Sequence, residues 1–91
     1  MKKILIIDDD PDICLVLTRY LTRKGFETKS AASANAGIKE LKKDAVDLVI
    51  SDFKMPQMTG LELIPILKKI QPDVKIILIT GYADVRIAVK A

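Results

Sequence analysis

Segments with strand character alternate with segments of helical spacing along the whole chain, and this alternation most constrains the fold. Apolar runs rich in β-branched residues at 4–7, 46–50 and 74–79 predict strands buried on both faces. The more polar segment 26–31 predicts a strand near a sheet edge. Strands and helices in this order, joined by short connections, form a parallel sheet with helices on both faces. The sequence therefore predicts one three-layer, doubly wound α/β domain.

The first predicted helix has clear start and stop signals. Asp10 can cap it, Pro11 suits its first position, and Gly25 supplies a left-handed exit. Its apolar residues recur at helical spacing and predict one inward stripe. The stripe comprises Ile13, Val16, Leu17, Tyr20 and Leu21.

Two further helices and the start of a fourth are expected. Ser33 caps a helix that runs to about residue 43, and Thr59 with Glu62 forms a capping box for a helix that runs to about residue 70. Pro65 lies inside that third helix and is expected to bend it. Residues 84–91 predict a fourth helix that the chain does not finish.

Composition excludes several classes of chemistry. The 91 residues contain no histidine, which excludes Ser-His-Asp catalysis, imidazole zinc sites and a phosphohistidine on this chain. The single cysteine, Cys14, lies in an apolar helical stretch and is interpreted as a structural thiol. No glycine-rich phosphate loop is present. The start of the chain lacks a signal-peptide core or membrane span, and the 15 basic residues are scattered, so we expect a cytoplasmic protein without a direct nucleic-acid surface.

Acidic and hydroxyl side chains follow the predicted buried strands. Asp8 and Asp9 follow the first strand, Asp52 follows the third, and Thr80 ends the fourth. If the first strand lies between the second and third, these residues converge at one sheet edge. Three neighbouring carboxylates repel one another, so a divalent cation is expected there, Mg²⁺ or Mn²⁺ rather than zinc.

Two other acids near this edge are assigned to the first helix. Asp10 precedes that helix and Asp12 lies in its first turn, where the helix dipole favours negative charge. At the edge itself, a carboxylate held beside a bound cation can attack a phosphoryl group to give an aspartyl phosphate. The Thr80 hydroxyl could take up part of the developing charge.

Three segments resemble the receiver domain of two-component response regulators. They are the strand 4–7 followed by three aspartates, the stretch Asp-Phe-Lys-Met-Pro-Gln-Met-Thr-Gly at 52–60, and the strand that ends Ile-Thr-Gly at 79–81. The resemblance covers the whole chain, and 79–85 is most similar to receivers of the nitrogen-regulatory (NtrC) type, which belong to transcription activators. It implies a flavodoxin-like sheet of order 2-1-3-4.

The resemblance also implies an acceptor and a metal site. Asp52 would be the phospho-acceptor, Asp9 would bind Mg²⁺ directly, and Asp8 would act through water. The backbone carbonyl of Lys54 would be a further ligand. The phosphoryl donor would be a sensor histidine kinase or phosphotransfer protein, and the chain would be a signalling phosphoprotein rather than an enzyme.

Further residues receive switching and tuning roles by the same resemblance. Thr80 would be the switch hydroxyl, and Gly81 would leave room beside it. The side chains of Lys54 and Tyr82 would tune the lifetime of the phosphate. An output domain outside this chain would contact DNA, and no membrane contact is implied.

The sequence departs from the family at its carboxyl end. The family has a fifth strand ending in a lysine, an aromatic switch residue and a fifth helix, and none follows Ala91 here. Lys90 is no substitute, because it falls in the predicted fourth helix. We therefore expect an incomplete receiver, with an open edge at 74–79 and an uncovered sheet face, and we expect it to self-associate there.

Two alternative functions remain open. The chain could be an interaction or oligomerisation module without regulated phosphorylation, because the lysine is missing. A haloacid-dehalogenase-type phosphatase also opens with Asp-x-Asp, which Asp8 and Asp10 satisfy. Asp12, however, stands where that motif expects threonine or valine.

Overall fold

Strands and helices alternate along the chain in a computed structural model that describes residues 2–79 and the backbone of residues 89 and 90. The elements follow the predicted order over the first 79 residues. They are β1 (Lys3–Ile7), α1 (Pro11–Arg23), β2 (Glu27–Ala31), α2 (Ala34–Lys43), β3 (Leu48–Asp52), α3 (Gly60–Ile70), β4 (Lys75–Ile79) and β5 (Val89–Lys90).

The sheet has the order β2-β1-β3-β4-β5. The first four strands are parallel, so the predicted order 2-1-3-4 and the edge position of β2 are confirmed. In the register, Ile7 pairs with Ala31 on one side and with Ser51 on the other. Asp52 pairs with Ile79. The carboxyl ends of the four strands therefore lie level at one edge.

Two apolar clusters cover the two faces of the sheet. On one face α2 and α3 pack over Leu5 and Ile7, and α3 contributes the fully buried Leu63 and Leu67. On the other face α1 packs over Ile4, Ile6 and Ile50. Each fully buried aliphatic side chain contributes about 1.5–3 kcal/mol relative to exposure, so β1, buried on both faces, holds the layers together.

The predicted inward stripe of α1 is only partly correct. Leu17 and Leu21 pack on the sheet, together with Cys14. Ile13, Val16 and Tyr20, also placed in that stripe, are 40%, 64% and 56% exposed. Residues 13, 16 and 20 lie about 100° around the helix from residues 14, 17 and 21, so a flat sheet contacts one row and leaves the other outside.

The helix ends match the sequence signals. Asp10 caps α1, Gly25 follows it with a φ of 97°, and Ser33 caps α2. Thr59 and Glu62 form the complete predicted capping box of α3, with Pro65 inside that helix. No helix in the described part of the chain is long and apolar enough to cross a membrane.

β3 begins two residues later than predicted. Val46 is buried as expected, but its backbone N–H donates to the Gln71 side-chain carbonyl at 3.0 Å, and its carbonyl accepts from the Gln71 amide at 2.6 Å. Strand pairing with β1 starts at Leu48, opposite Ile4. The Gln71 side chain thus takes the place of a strand partner at Val46.

β5 corrects two predictions about the end of the chain. Val89 and Lys90, predicted to continue a helix, instead pair antiparallel with Ile77 and Ile76. The β4 edge, predicted to be open, is therefore covered at those two residues. An edge strand has exposed N–H and carbonyl groups that form hydrogen bonds with another extended segment, and this explains why residues 89 and 90 pair with β4. The rest of the predicted helix, 84–88 and 91, lies outside the described residues.

Gly60 lets α3 begin directly against the end of β3. A Cβ atom there would lie 2.7 Å from Leu78 Cδ2 and 3.0 Å from the Asp52 carbonyl oxygen. We predict that Gly60→Ala lowers the free energy of unfolding by about 1–3 kcal/mol, because backbone must move. Urea denaturation measures it.

The control is Asn35→Ala. Asn35 is an exposed residue of α2, so alanine there displaces no buried neighbour and favours the helix. Equal stability losses in the two variants would contradict the role assigned to Gly60.

Candidate functional site

Three carboxylates meet at the carboxyl edge of the sheet. Asp8 follows β1, Asp52 ends β3, and Asp9 stands beside them; one oxygen from each lies within 4.8 Å of the others. The sequence predicted this convergence from the position of β1 between β2 and β3. The structure brings the three side chains together because neighbouring parallel strands end level.

Asp8 is the buried member of the cluster, with 5% exposure. Its Oδ1 accepts the Asp10 backbone N–H at 2.9 Å, and its own N–H donates to the Ala31 carbonyl at 3.1 Å. Burial raises the pKa of Asp8, and the negative charges of Asp52 and Asp9 add to the increase, while the Asp10 N–H opposes it. The folded protein thus places the Asp8 carboxyl in an environment that disfavours its ionised form.

Asp52 is half-buried and oriented by the loop that follows it. The Lys54 backbone N–H donates to Asp52 Oδ1 at 3.3 Å. Burial raises the pKa of Asp52, with the charge of Asp9 contributing and the Lys54 N–H opposing. The pKa values of two carboxyl groups in one site are therefore raised, and a nearby positive charge would lower them again.

The donor set fits a hard divalent cation. It offers carboxylate oxygens, with no imidazole in the sequence, and such ligands favour Mg²⁺, Mn²⁺ or Ca²⁺ over zinc. The bond from the Lys54 N–H keeps that backbone beside Asp52, near the position where its carbonyl was predicted to bind metal. The ligand role of the carbonyl stays a prediction.

Asp10 and Asp12 have the helix roles predicted for them. Asp10 accepts the Asp12 backbone N–H at 2.9 Å as the cap of α1, and Asp12 lies in the first turn. A phosphatase of the Asp-x-Asp type needs its second aspartate at the reacting group. Here that residue caps a helix, which speaks against that alternative.

Cys14 touches the site in a way that sequence reasoning missed. Its Sγ donates to the Asp8 backbone carbonyl at 3.4 Å. Burial raises the pKa of the Cys14 thiol, and the charge of Asp8 raises it further, so the thiol stays protonated at neutral pH. No sequence motif predicts a contact between two residues six positions apart across the turn from β1 to α1. The interpretation of Cys14 as a structural thiol fits this contact.

Three of the predicted switch and tuning residues, Thr80, Gly81 and Tyr82, lie outside the described residues. Their roles stay predictions. Ile79, just before them, pairs with Asp52 across β3 and β4. β4 therefore ends at Ile79, beside the acidic cluster.

Comparison with known proteins identifies the family. Residues 4–91 match the family model of the response regulator receiver domain. The chain belongs to this family. The receiver is 36% identical over 88 residues to the transcriptional regulatory protein GlrR of Escherichia coli, and 41% identical over 88 residues to the DNA-binding transcriptional regulator NtrC of Azospirillum brasilense. The predicted likeness to nitrogen-regulatory receivers is confirmed.

The receiver is only a part of those regulators in length. The alignments cover 97% of this chain but 20% of GlrR and 18% of NtrC, so the chain spans about a fifth of each.

The receiver superposes on the response regulator TrrA of Thermotoga maritima, crystallised with Mg²⁺-BeF, with a TM-score of 0.86 and 38% identity. That match covers 94% of this chain and 75% of TrrA. TrrA in complex with the histidine kinase ThkA gives the same TM-score and identity, over 94% of this chain and 74% of TrrA.

The raised pKa of Asp8 predicts a stabilising substitution in metal-free receiver. A raised native pKa means that the folded state binds the proton more tightly than the unfolded state, so stability is lost as pH rises from the ordinary aspartate value of 3.8 through the folded pKa. Asp8→Asn keeps an acceptor for the Asp10 N–H and removes the charge. Its urea midpoint in chelator should exceed that of the parent, by a margin that grows from about pH 4 to about pH 7.

Asp73→Asn is the control for this substitution, because Asp73 is an exposed acid outside the cluster. It should show no such pH-dependent gain. A parent protein as stable as Asp8→Asn at neutral pH would contradict the assigned electrostatic cost.

Proposed function

We propose that this receiver accepts a phosphoryl group on Asp52 from a sensor histidine kinase or a phosphotransfer protein, in the presence of Mg²⁺. The observation that carries the proposal is the convergence of Asp8, Asp9 and Asp52 within 4.8 Å at the ends of two core strands. Asp52 is the member that ends a strand, and the loop N–H of Lys54 orients it. A nucleophile is best placed on such a rigid element.

The reaction is a transfer between two side chains. A carboxylate oxygen of Asp52 attacks the phosphorus, an O–P bond forms, and the P–N bond to the donor imidazole breaks. The electron pair returns to the imidazole nitrogen, and because the other ring nitrogen of the donor carries a proton, the imidazole leaves neutral. When bound, the cation supplies positive charge to the phosphoryl oxygens and to the carboxylates. Asp8 and Asp9 would hold it, with the Lys54 carbonyl as a further ligand.

The donor histidine lies outside these 91 residues, which contain none. The pairing of TrrA with a histidine kinase supports a donor of that class. The phosphoryl group stays on Asp52 as a signal, so the receiver is not a turnover enzyme and at most promotes its own phosphorylation and hydrolysis. Thr80 and Gly81 are proposed to contact the phosphoryl group, and Lys54 and Tyr82 to tune its lifetime.

The similarity to GlrR and NtrC supports an output in transcription control. DNA would be contacted by an output domain rather than by this receiver. A cytoplasmic location is proposed, because kinase and DNA are both reached there.

Phosphorylation by acetyl phosphate tests the proposal directly. Intact receiver incubated with acetyl phosphate and Mg²⁺ should gain the mass of one phosphoryl group, and Asp52→Asn should abolish the gain, because the nucleophile is lost. Asp12→Asn is the matched control, since Asp12 lies in α1 outside the cluster, and it should keep the gain.

Other outcomes would point elsewhere. No mass gain in a sample shown to be folded by circular dichroism would favour the interaction module. Turnover of a phosphomonoester without a stable adduct would favour the phosphatase.

A further inference from the structure

The turn between β1 and α1 contains two of the three acids of the cluster and is fixed by hydrogen bonds at both of its ends. The Asp8 backbone N–H donates to the Ala31 carbonyl at 3.1 Å, which ties the start of the turn to the neighbouring strand. The Asp10 N–H donates to Asp8 Oδ1 at 2.9 Å, and the Cys14 N–H donates to the Asp10 carbonyl at 3.2 Å. Between these bonds lies Asp9, the exposed acid of the cluster.

The direction of the Asp9 side chain depends on the two peptide groups that flank it. A planar peptide leaves only two soft torsions per residue, so fixing both neighbouring peptides fixes the Cα–Cβ direction. The peptide after Asp9 ends in the Asp10 N–H, which is held by Asp8 Oδ1. The peptide before Asp9 carries the Asp8 carbonyl, which accepts the Cys14 thiol at 3.4 Å. Without this second bond the peptide is free to rotate, and repulsion from the neighbouring carboxylates would turn Asp9 toward water.

The Cys14 thiol is itself held in place by the core. Cys14 lies in the first turns of α1, and helical side chains point back toward the start of their helix, so its Sγ reaches the end of the preceding strand. The side chain is half-buried and packs on the cluster of Ile4, Ile6 and Ile50. These residues belong to β1 and β3, the two strands at whose ends the acidic cluster lies. The thiol is therefore fixed relative to both strands.

We propose that Cys14 is a positioning residue for the acidic cluster. Its thiol holds the Asp8 carbonyl and so keeps the Asp9 carboxylate beside those of Asp8 and Asp52, where a divalent cation would bind. The inference rests on the proposed function, since it takes Asp9 as a direct ligand of the cation. In this role Cys14 acts through the backbone of the turn and is not itself a ligand.

Binding of Mn²⁺, followed by the electron paramagnetic resonance signal of the free ion, tests the proposal without a phosphoryl donor. Groups that orient metal ligands change metal affinity by about 10–100-fold when they are removed, and a thiol is a weak donor. Cys14→Ala removes the donor and should therefore raise the Mn²⁺ dissociation constant about tenfold, at the low end of that range. Cys14→Ser keeps a hydroxyl donor and should stay within about twofold of the parent.

Leu17→Val is the matched control for a loss of packing. Leu17 packs on the same apolar cluster as Cys14 but lies further along α1, away from the turn. The substitution removes one methylene from the contact between helix and sheet, so it should lower the urea midpoint. It should leave Mn²⁺ binding unchanged, because the bonds of the turn stay in place. Circular dichroism checks that each variant is folded before it is titrated.

Failure of the positioning role is distinguishable from failure of the cation site. A parent that binds Mn²⁺ with an affinity that Cys14→Ala leaves unchanged would overturn the positioning role alone. So would a Cys14→Ser protein that binds as weakly as Cys14→Ala, or a loss of affinity of the same size in Leu17→Val. A folded parent that binds no Mn²⁺ would overturn the cation site itself, and the positioning role with it.

Discussion

The parallel pairing of β1 between β2 and β3 is the constraint on which the rest of this receiver depends. It aligns Ile7 with Ser51, so Asp8 and Asp52 leave the sheet side by side. Their carboxylates repel each other and are partly removed from water, which raises both pKa values. Packing of β1, where Leu5, Ile6 and Ile7 are fully buried, offsets that cost. The strand with the most buried side chains therefore carries the buried acid of the cluster.

The segment after Asp52 combines chemistry with packing. Met55 is 9% exposed and belongs to the core under α2 and α3, and Met58 packs against the same cluster. Gly60 brings the start of α3 to the Asp52 carbonyl, and its N–H donates to the Phe53 carbonyl at 2.8 Å. The apolar residues and the glycine of this motif hold the loop against the core. The loop in turn orients the acceptor through the Lys54 N–H.

The described helices cover the two faces of the sheet in different ways. α2 and α3 close one face with buried leucines, and the acidic site lies at the strand ends above it. α1 covers part of the other face and has no buried residue of its own.

The sequence by itself determined the four parallel strands, the helix caps and the three acids, because apolar β-branched runs, capping residues and strand-end aspartates are local signals. Tertiary structure decided which row of α1 packs on the sheet. Leu17 and Ile13 are both apolar, and they differ only in which side of the helix faces the sheet. It also decided that Val46 pairs with the Gln71 side chain and that Val89 pairs with β4. Residues far apart in the chain compete for the same backbone groups, and that competition is settled only when the layers are packed.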